Sequence, residues 1–128
     1  MLIYKMATPL YIAVNYQHVD AVATLLSRGA NPNIMTKDNR TPLFQAIWYN
    51  NVQLVELLLD WNADPNLESR CGPLYIHPIQ SAVYGNCADN VRLLIRAGAN
   101  INNMRVLLSR ARERGYTEIE AILESYNK

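Results

Sequence analysis

Residues Thr41 to Asn66 read T-P-L-F-Q-A-I-W-Y-N-N-V-Q-L-V-E-L-L-L-D-W-N-A-D-P-N. This stretch holds two short apolar patterns at helical spacing, joined by Asn50-Asn51 and closed by Ala63-Asp64-Pro65-Asn66. Leu43, Ala46 and Ile47 line the first pattern, and Leu54, Val55, Leu57 and Leu58 line the second. The phrase recurs upstream from Thr8 to Asn33 as T-P-L-Y-I-A … L-L-S-R-G-A-N-P-N. It recurs downstream from His77 to Asn102 as H-P-I-Q-S-A … L-L-I-R-A-G-A-N-I-N. A short unit repeated in this way cannot bury its apolar face alone and does so against its neighbours.

Subtraction sets the register. Pro9 to Pro42, Ala13 to Ala46 and Leu25 to Leu58 are each 33 residues apart, whereas Pro42 to Pro78, Ala46 to Ala82 and Leu58 to Leu94 are 36. A three-residue insertion therefore lies between Asn66 and Pro78. With this period and T-P-L at its head, the chain resembles the ankyrin-repeat family, whose signature is T-P-L-H-x-A. The resemblance covers nearly the whole chain and implies an all-α ankyrin-repeat solenoid, helix-turn-helix repeats with short β-hairpin fingers. The expected division of a single domain over 1–128 is 8–40, 41–76 with an enlarged finger after it, 77–102, and a degenerate capping repeat at 103–128.

Local chemistry agrees with this register. Thr8 is an N-cap candidate, with Pro9 at the first helical position where its missing N–H costs nothing. Gly29 suits a left-handed helix end. Asn39 and Asn62 stand where the family usually has glycine, and asparagine tolerates positive φ better than most residues. Gly72-Pro73 signals a turn within the enlarged finger, Cys71 to Ile76. A helix starting at Gly72-Pro73-Leu74 would bury Pro78 inside it, so Pro78 is taken as the start. Asn90 occupies a position that is usually apolar, which predicts loose packing in the second helix of the third repeat. The capping segment places Leu107, Leu108 and Ala111 on one helix and Ile119, Ile122 and Leu123 on the other. Its outer faces carry Arg110, Arg112, Glu113, Glu120 and Glu124, a solvated end of the kind solenoids require. At the opposite end Leu2, Ile3, Tyr4, Leu10 and Val22 predict an apolar surface, over which Met1 to Ala7 folds back or a partner docks.

Composition excludes several classes. Half of the 128 residues are apolar and the formal net charge is +1, so no whole-chain field favours nucleic acid or anionic lipid. No apolar run approaches the ~18 residues of a membrane helix, and the opening residues do not read as a secretory signal. The expected location is intracellular and cytoplasmic, with Cys71 and Cys87 as free thiols. Short arrays that viruses and intracellular bacteria direct at host proteins offer an analogy, action in a host cell.

No converging catalytic constellation can be assembled, and no nucleotide-binding glycine motif is present. His18 sits at the family's usual position before a second helix and is expected to make a structural hydrogen bond. His77 replaces the N-cap threonine of the third repeat. Neither has metal-ligand spacing to a cysteine or carboxylate, so no metal and no cofactor is expected. Arg105, Arg110, Arg112 and Arg114, interleaved with glutamates, read as a solvated cap face rather than a nucleic-acid patch.

The resemblance implies a non-catalytic protein-binding module. In the family, partners are met by finger tips and by two exposed positions near the end of each first helix. Carried over, these positions are Asn15 and Tyr16, Trp48 and Tyr49, and Tyr84 and Gly85. The finger positions are Lys37, Asp38 and Arg40, then Glu68, Ser69 and Arg70, with Leu74 and Tyr75 in the insertion. The expected partner-binding set is Tyr16, Lys37, Asp38, Arg40, Trp48, Tyr49, Arg70, Leu74, Tyr75 and Tyr84. Tyr, Trp and Arg are the types enriched at binding hot spots. Each aromatic can equally pack on a neighbouring repeat. Two other readings stand beside a monomeric binder. One is the substrate-recognition arm of a ubiquitin-ligase-type assembly, although no segment after Tyr126 reads as a recruiting box. The other is self-association through the N-terminal end.

Overall fold

Thr8 and Thr41 each turn a side-chain oxygen onto the third backbone amide beyond them, Tyr11 at 3.1 Å and Phe44 at 3.0 Å. With Pro9 and Pro42 following, these caps start α1 (Pro9–Asn15) and α3 (Pro42–Trp48) at the expected residues. His77 offers no hydroxyl; there the Gln80 side chain accepts the His77 amide at 2.8 Å and α5 (Pro78–Tyr84) begins. Each of these helices is followed by one residue at positive φ, Gln17, Asn50 or Asn86, which turns the chain into an antiparallel second helix. The second helices are α2 (Val19–Ser27), α4 (Val52–Asp60) and α6 (Ala88–Arg96). A final pair, α7 (Met104–Arg114) and α8 (Thr117–Ser125), completes the stack. The computed structural model describes residues 7–126.

Stacking is repetitive. First helices pack in the order α1, α3, α5, α7 and second helices in the order α2, α4, α6, α8. Leu10, Val14, Leu43, Ile47, Leu58, Ala82, Leu94, Leu107 and Leu123 belong to one continuous core. Leu10 and Val22 are fully buried, so neither supplies the bare apolar end that the sequence suggests. The Met1–Met6 part of that expectation lies outside the described residues.

Gly29 and Gly98 end their helices at φ 93° and 98°, and Asn62 takes the same role at φ 71°. Asn39 is likewise at φ 61°. Only one finger forms a ladder among the described residues. In it β1 (Ser69–Cys71) pairs antiparallel with β2 (Leu74–Ile76), with Arg70 opposite Tyr75 and Gly72 turning at φ 62°. The earlier finger is a tight turn, closed by Thr36 N–H on Arg40 O and Asn39 N–H on Thr36 O, both at 2.9 Å. The inserted residues supply the extra length that a paired hairpin needs.

Three side-chain devices tie repeat to repeat. Asn33 Oδ1 accepts the Asp64 amide at 2.7 Å, and Asn66 Oδ1 accepts that of Asn100 at 2.6 Å. The buried Ser69 hydroxyl accepts the Thr41 amide at 3.0 Å, which pins the hairpin onto the start of α3. Between α1 and α3, Gln45 accepts from the Tyr11 hydroxyl at 3.0 Å and donates to Asn15 at 2.9 Å. A buried network of this kind is favourable only when its members are satisfied, as these are.

Two residues depart from expectation. Asn90 is 0% exposed, and neither atom of its amide has a hydrogen-bond partner. α6 therefore encloses an amide that no protein group among the described residues pairs with. His18 caps α2 without a side-chain hydrogen bond; its exposed ring instead lies 6.1 Å from that of Tyr16. At the far end Arg112 bonds to Glu120 at 2.9 Å and Glu124 at 3.1 Å. The hydrogen bond to Glu120, and then that to Glu124, raise the Arg112 pKa above its ordinary value. That part of the cap is the solvated face expected of it.

Candidate functional site

Phe44 is the hidden support of the site. It is 2% exposed at the middle of α3, and the Trp48 ring one turn later stacks on it at 6.1 Å. The stacked Trp48 ring remains 61% exposed. Phe44 also carries the Arg40 guanidinium, 5.8 Å from the ring centroid. A buried aromatic thus contacts both an exposed aromatic and a half-buried cation.

Beside Trp48 runs a groove of about 270 Å³ lined by Ile47, Trp48, Asn50, Cys71, Ile76, Ser81, Tyr84 and Gly85. Its walls come from α3, α5 and the hairpin. Tyr16, Tyr49 and Gly85 occupy equivalent positions, so the third repeat presents no side chain where the others present a tyrosine. A methyl group at Gly85 would come within 3.2 Å of the Ser81 carbonyl and 3.4 Å of Asn50 Oδ1.

Two further surface concavities carry basic residues. Lys37, Asp38, Arg40, Arg70 and Gly72 line one concavity, and Arg70 and Gly72 flank the groove residue Cys71. Tyr84, Arg105, Val106, Ser109, Arg110 and Glu113 line another, sharing Tyr84 with the groove. Arg110 lies 4.5 Å over the Tyr84 ring, a cation–π contact across two repeats. Arg110 therefore leaves the solvated cap face to which the sequence assigned it.

Six of the ten expected residues line the groove or the first of the two concavities. Trp48 and Tyr84 line the groove, and Lys37, Asp38, Arg40 and Arg70 share the concavity beside it. Leu74 and Tyr75 are exposed on β2, with the Tyr75 hydroxyl accepting from Asn39 at 3.2 Å. Tyr16 and Tyr49 are exposed but do not line the groove; the Tyr49 hydroxyl donates to Asn15 at 3.0 Å. The aromatics thus form no single row. Sequence reasoning passed over Phe44, Ile76 and Arg110. Phe44 alone carried a signal, an aromatic at helical spacing before Trp48.

Among the described residues no three His, Cys, Asp or Glu side chains stand where they would hold a metal ion. None of the described helices is long and apolar enough to cross a membrane.

The family profile for ankyrin repeats (3 copies) matches residues 3–69, more than half of the chain, and the protein belongs to the ankyrin-repeat family. Among solved structures it is similar to the human ASB11 ankyrin repeat domain, with TM-score 0.76 and 26% sequence identity. The match covers 94% of this chain and 55% of that one, so the chain spans little more than half the length of that relative. No curated protein matches. Domains of this family are generally protein–protein interaction modules and are typically non-catalytic.

Proposed function

We propose that the protein is a non-catalytic binding module that holds another protein on the face formed by its first helices and fingers. The observation that carries this reading is Trp48, 61% exposed yet fixed in orientation by stacking on buried Phe44. A large aromatic held in place loses little side-chain freedom on binding and buries much area, the profile of a hot-spot residue. Tyr84 shares the groove with Trp48, Leu74 and Tyr75 on the hairpin add further exposed apolar surface, and Lys37, Asp38, Arg40 and Arg70 would form a polar rim. Interfaces are commonly arranged in this way, an apolar centre inside a charged border.

The test is affinity capture from cell lysate with wild type and the Trp48→Ala/Tyr84→Ala double variant, both checked for folding by circular dichroism. A protein retained by wild type and lost by the folded variant is the expected result. Equal retention would move the interface elsewhere on the molecule.

A further inference from the structure

The net charge of +1 conceals a division. The second helices α2, α4, α6 and α8 carry seven carboxylates and two arginines. The first helices, with the finger segments 34–40 and 68–76, carry seven cations and three carboxylates. On the second-helix side Arg92 is paired, with Glu118 at 2.6 Å and Asp89 at 3.4 Å. Among the described residues, Lys37, Arg40, Arg70, Arg105 and Arg110 form no ion pair. Two of them touch aromatics tied to the groove: Arg40 lies over Phe44, on which the groove residue Trp48 stacks, and Arg110 covers the groove residue Tyr84.

We propose that the groove takes an acidic linear segment of a partner protein, one in which an aliphatic or aromatic side chain is flanked by carboxylates. This rests on the protein-binding reading above and names the chemistry of the partner. The apolar side chain would sit between Trp48, Ile76 and Tyr84; one carboxylate would meet Arg40 and Arg70, and the other Arg105 and Arg110. The groove volume, about 270 Å³, falls below the ~300–1,000 Å³ of small-molecule sites and suits a side chain entering from a larger ligand. A nucleic-acid strand fits less well. Asp38 stands among the cations of one concavity and Glu113 among those of the other, where each would repel a phosphate backbone. A protein segment places its charges singly and avoids both.

Selection of a random linear-peptide display library on the full chain tests this. Enriched peptides should carry Asp or Glu on both sides of Leu, Phe, Tyr or Trp, and bind more weakly as salt is raised. Folded Arg40→Glu/Arg70→Glu should weaken them by about tenfold or more, and should prefer the same peptide with Lys in place of its acids. Neutral or basic peptides that are lost on Trp48→Ala/Tyr84→Ala would overturn the acidic partner and leave the groove as an interface. Enriched peptides indifferent to Trp48→Ala/Tyr84→Ala would overturn both readings. A library without enrichment, or tighter binding of a labelled oligo-dT, would overturn the acidic segment as the occupant. So would concentration-dependent self-association in sedimentation that Trp48→Ala abolishes.

Discussion

Asn66 reaches across a repeat boundary to Asn100, accepting its backbone amide at 2.6 Å and donating to the Gly98 carbonyl at 3.3 Å. Asn33, one repeat earlier, does the same with Asp64 and Asn62, at 2.7 and 3.3 Å. The closing asparagine of each motif is therefore a coupling element between neighbours. In a solenoid such interface terms set how cooperatively the repeats unfold.

Asn66→Ala should lower stability by about 1 kcal/mol, the net worth of hydrogen bonds at a solvent-exposed site. Asn33→Ala should cost a similar amount, and the double variant should show the sum to within ~0.5 kcal/mol, because the two side chains act at different boundaries. Urea unfolding followed by circular dichroism measures all three. A strongly non-additive double variant would mean that the two boundaries communicate.

Asn90→Leu should stabilise the protein. Its counterparts in the two adjoining repeats, Leu54 and Ile119, are apolar and buried, whereas the Asn90 side chain buries a carbonyl and an amide without protein partners. Removing that unmet polarity without changing shape much should gain about 1–3 kcal/mol. The urea midpoint should rise with little change in slope. A fall in midpoint would show that the pocket around Asn90 cannot take a branched apolar side chain.

Leu58→Ala should be worse than Leu123→Ala, although both side chains are fully buried. Leu58 lies on α4, which packs against both α2 and α6; Leu123 lies on α8, which among second helices meets α6 alone. A cavity at Leu58 weakens two interfaces and should cost near the upper end of the ~2–5 kcal/mol range for such substitutions. Thermal or urea denaturation of the two variants, side by side, decides it. Equal losses would contradict a nearest-neighbour account of stability.

Asn62→Val should cost about 1–3 kcal/mol, because a β-branched residue at φ 71° is strained. Asn62→Gly, matching Gly29 and Gly98 in the same role, should be neutral or stabilising by a few tenths of a kcal/mol. The pair of variants separates backbone strain from loss of the asparagine side chain. If both lose stability alike, the side chain and not the backbone is what matters there.

Local signals along the chain carry the fold. Its period, the caps Thr8-Pro9 and Thr41-Pro42, and glycine or asparagine at the left-handed helix ends are local signals, each readable within a few residues. The insertion before Pro78 also marked where the chain would project, since extra length between fixed helix starts has only the finger to enter. What surrounds each side chain came only from the tertiary structure. Trp48 is an oriented anchor because Phe44 lies under it, and the groove beside it is walled by α5 and the hairpin as well as by α3. Arg110 turns to Tyr84 while Arg112, two residues on, turns to Glu120 and Glu124. The tyrosines of the expected row separate because Tyr84 follows the register of Trp48, and Tyr16 that of Tyr49. Repeat periodicity dictates which residues share a helix face. It does not dictate which atoms meet across a repeat boundary, and at that boundary the groove and its charges are assembled.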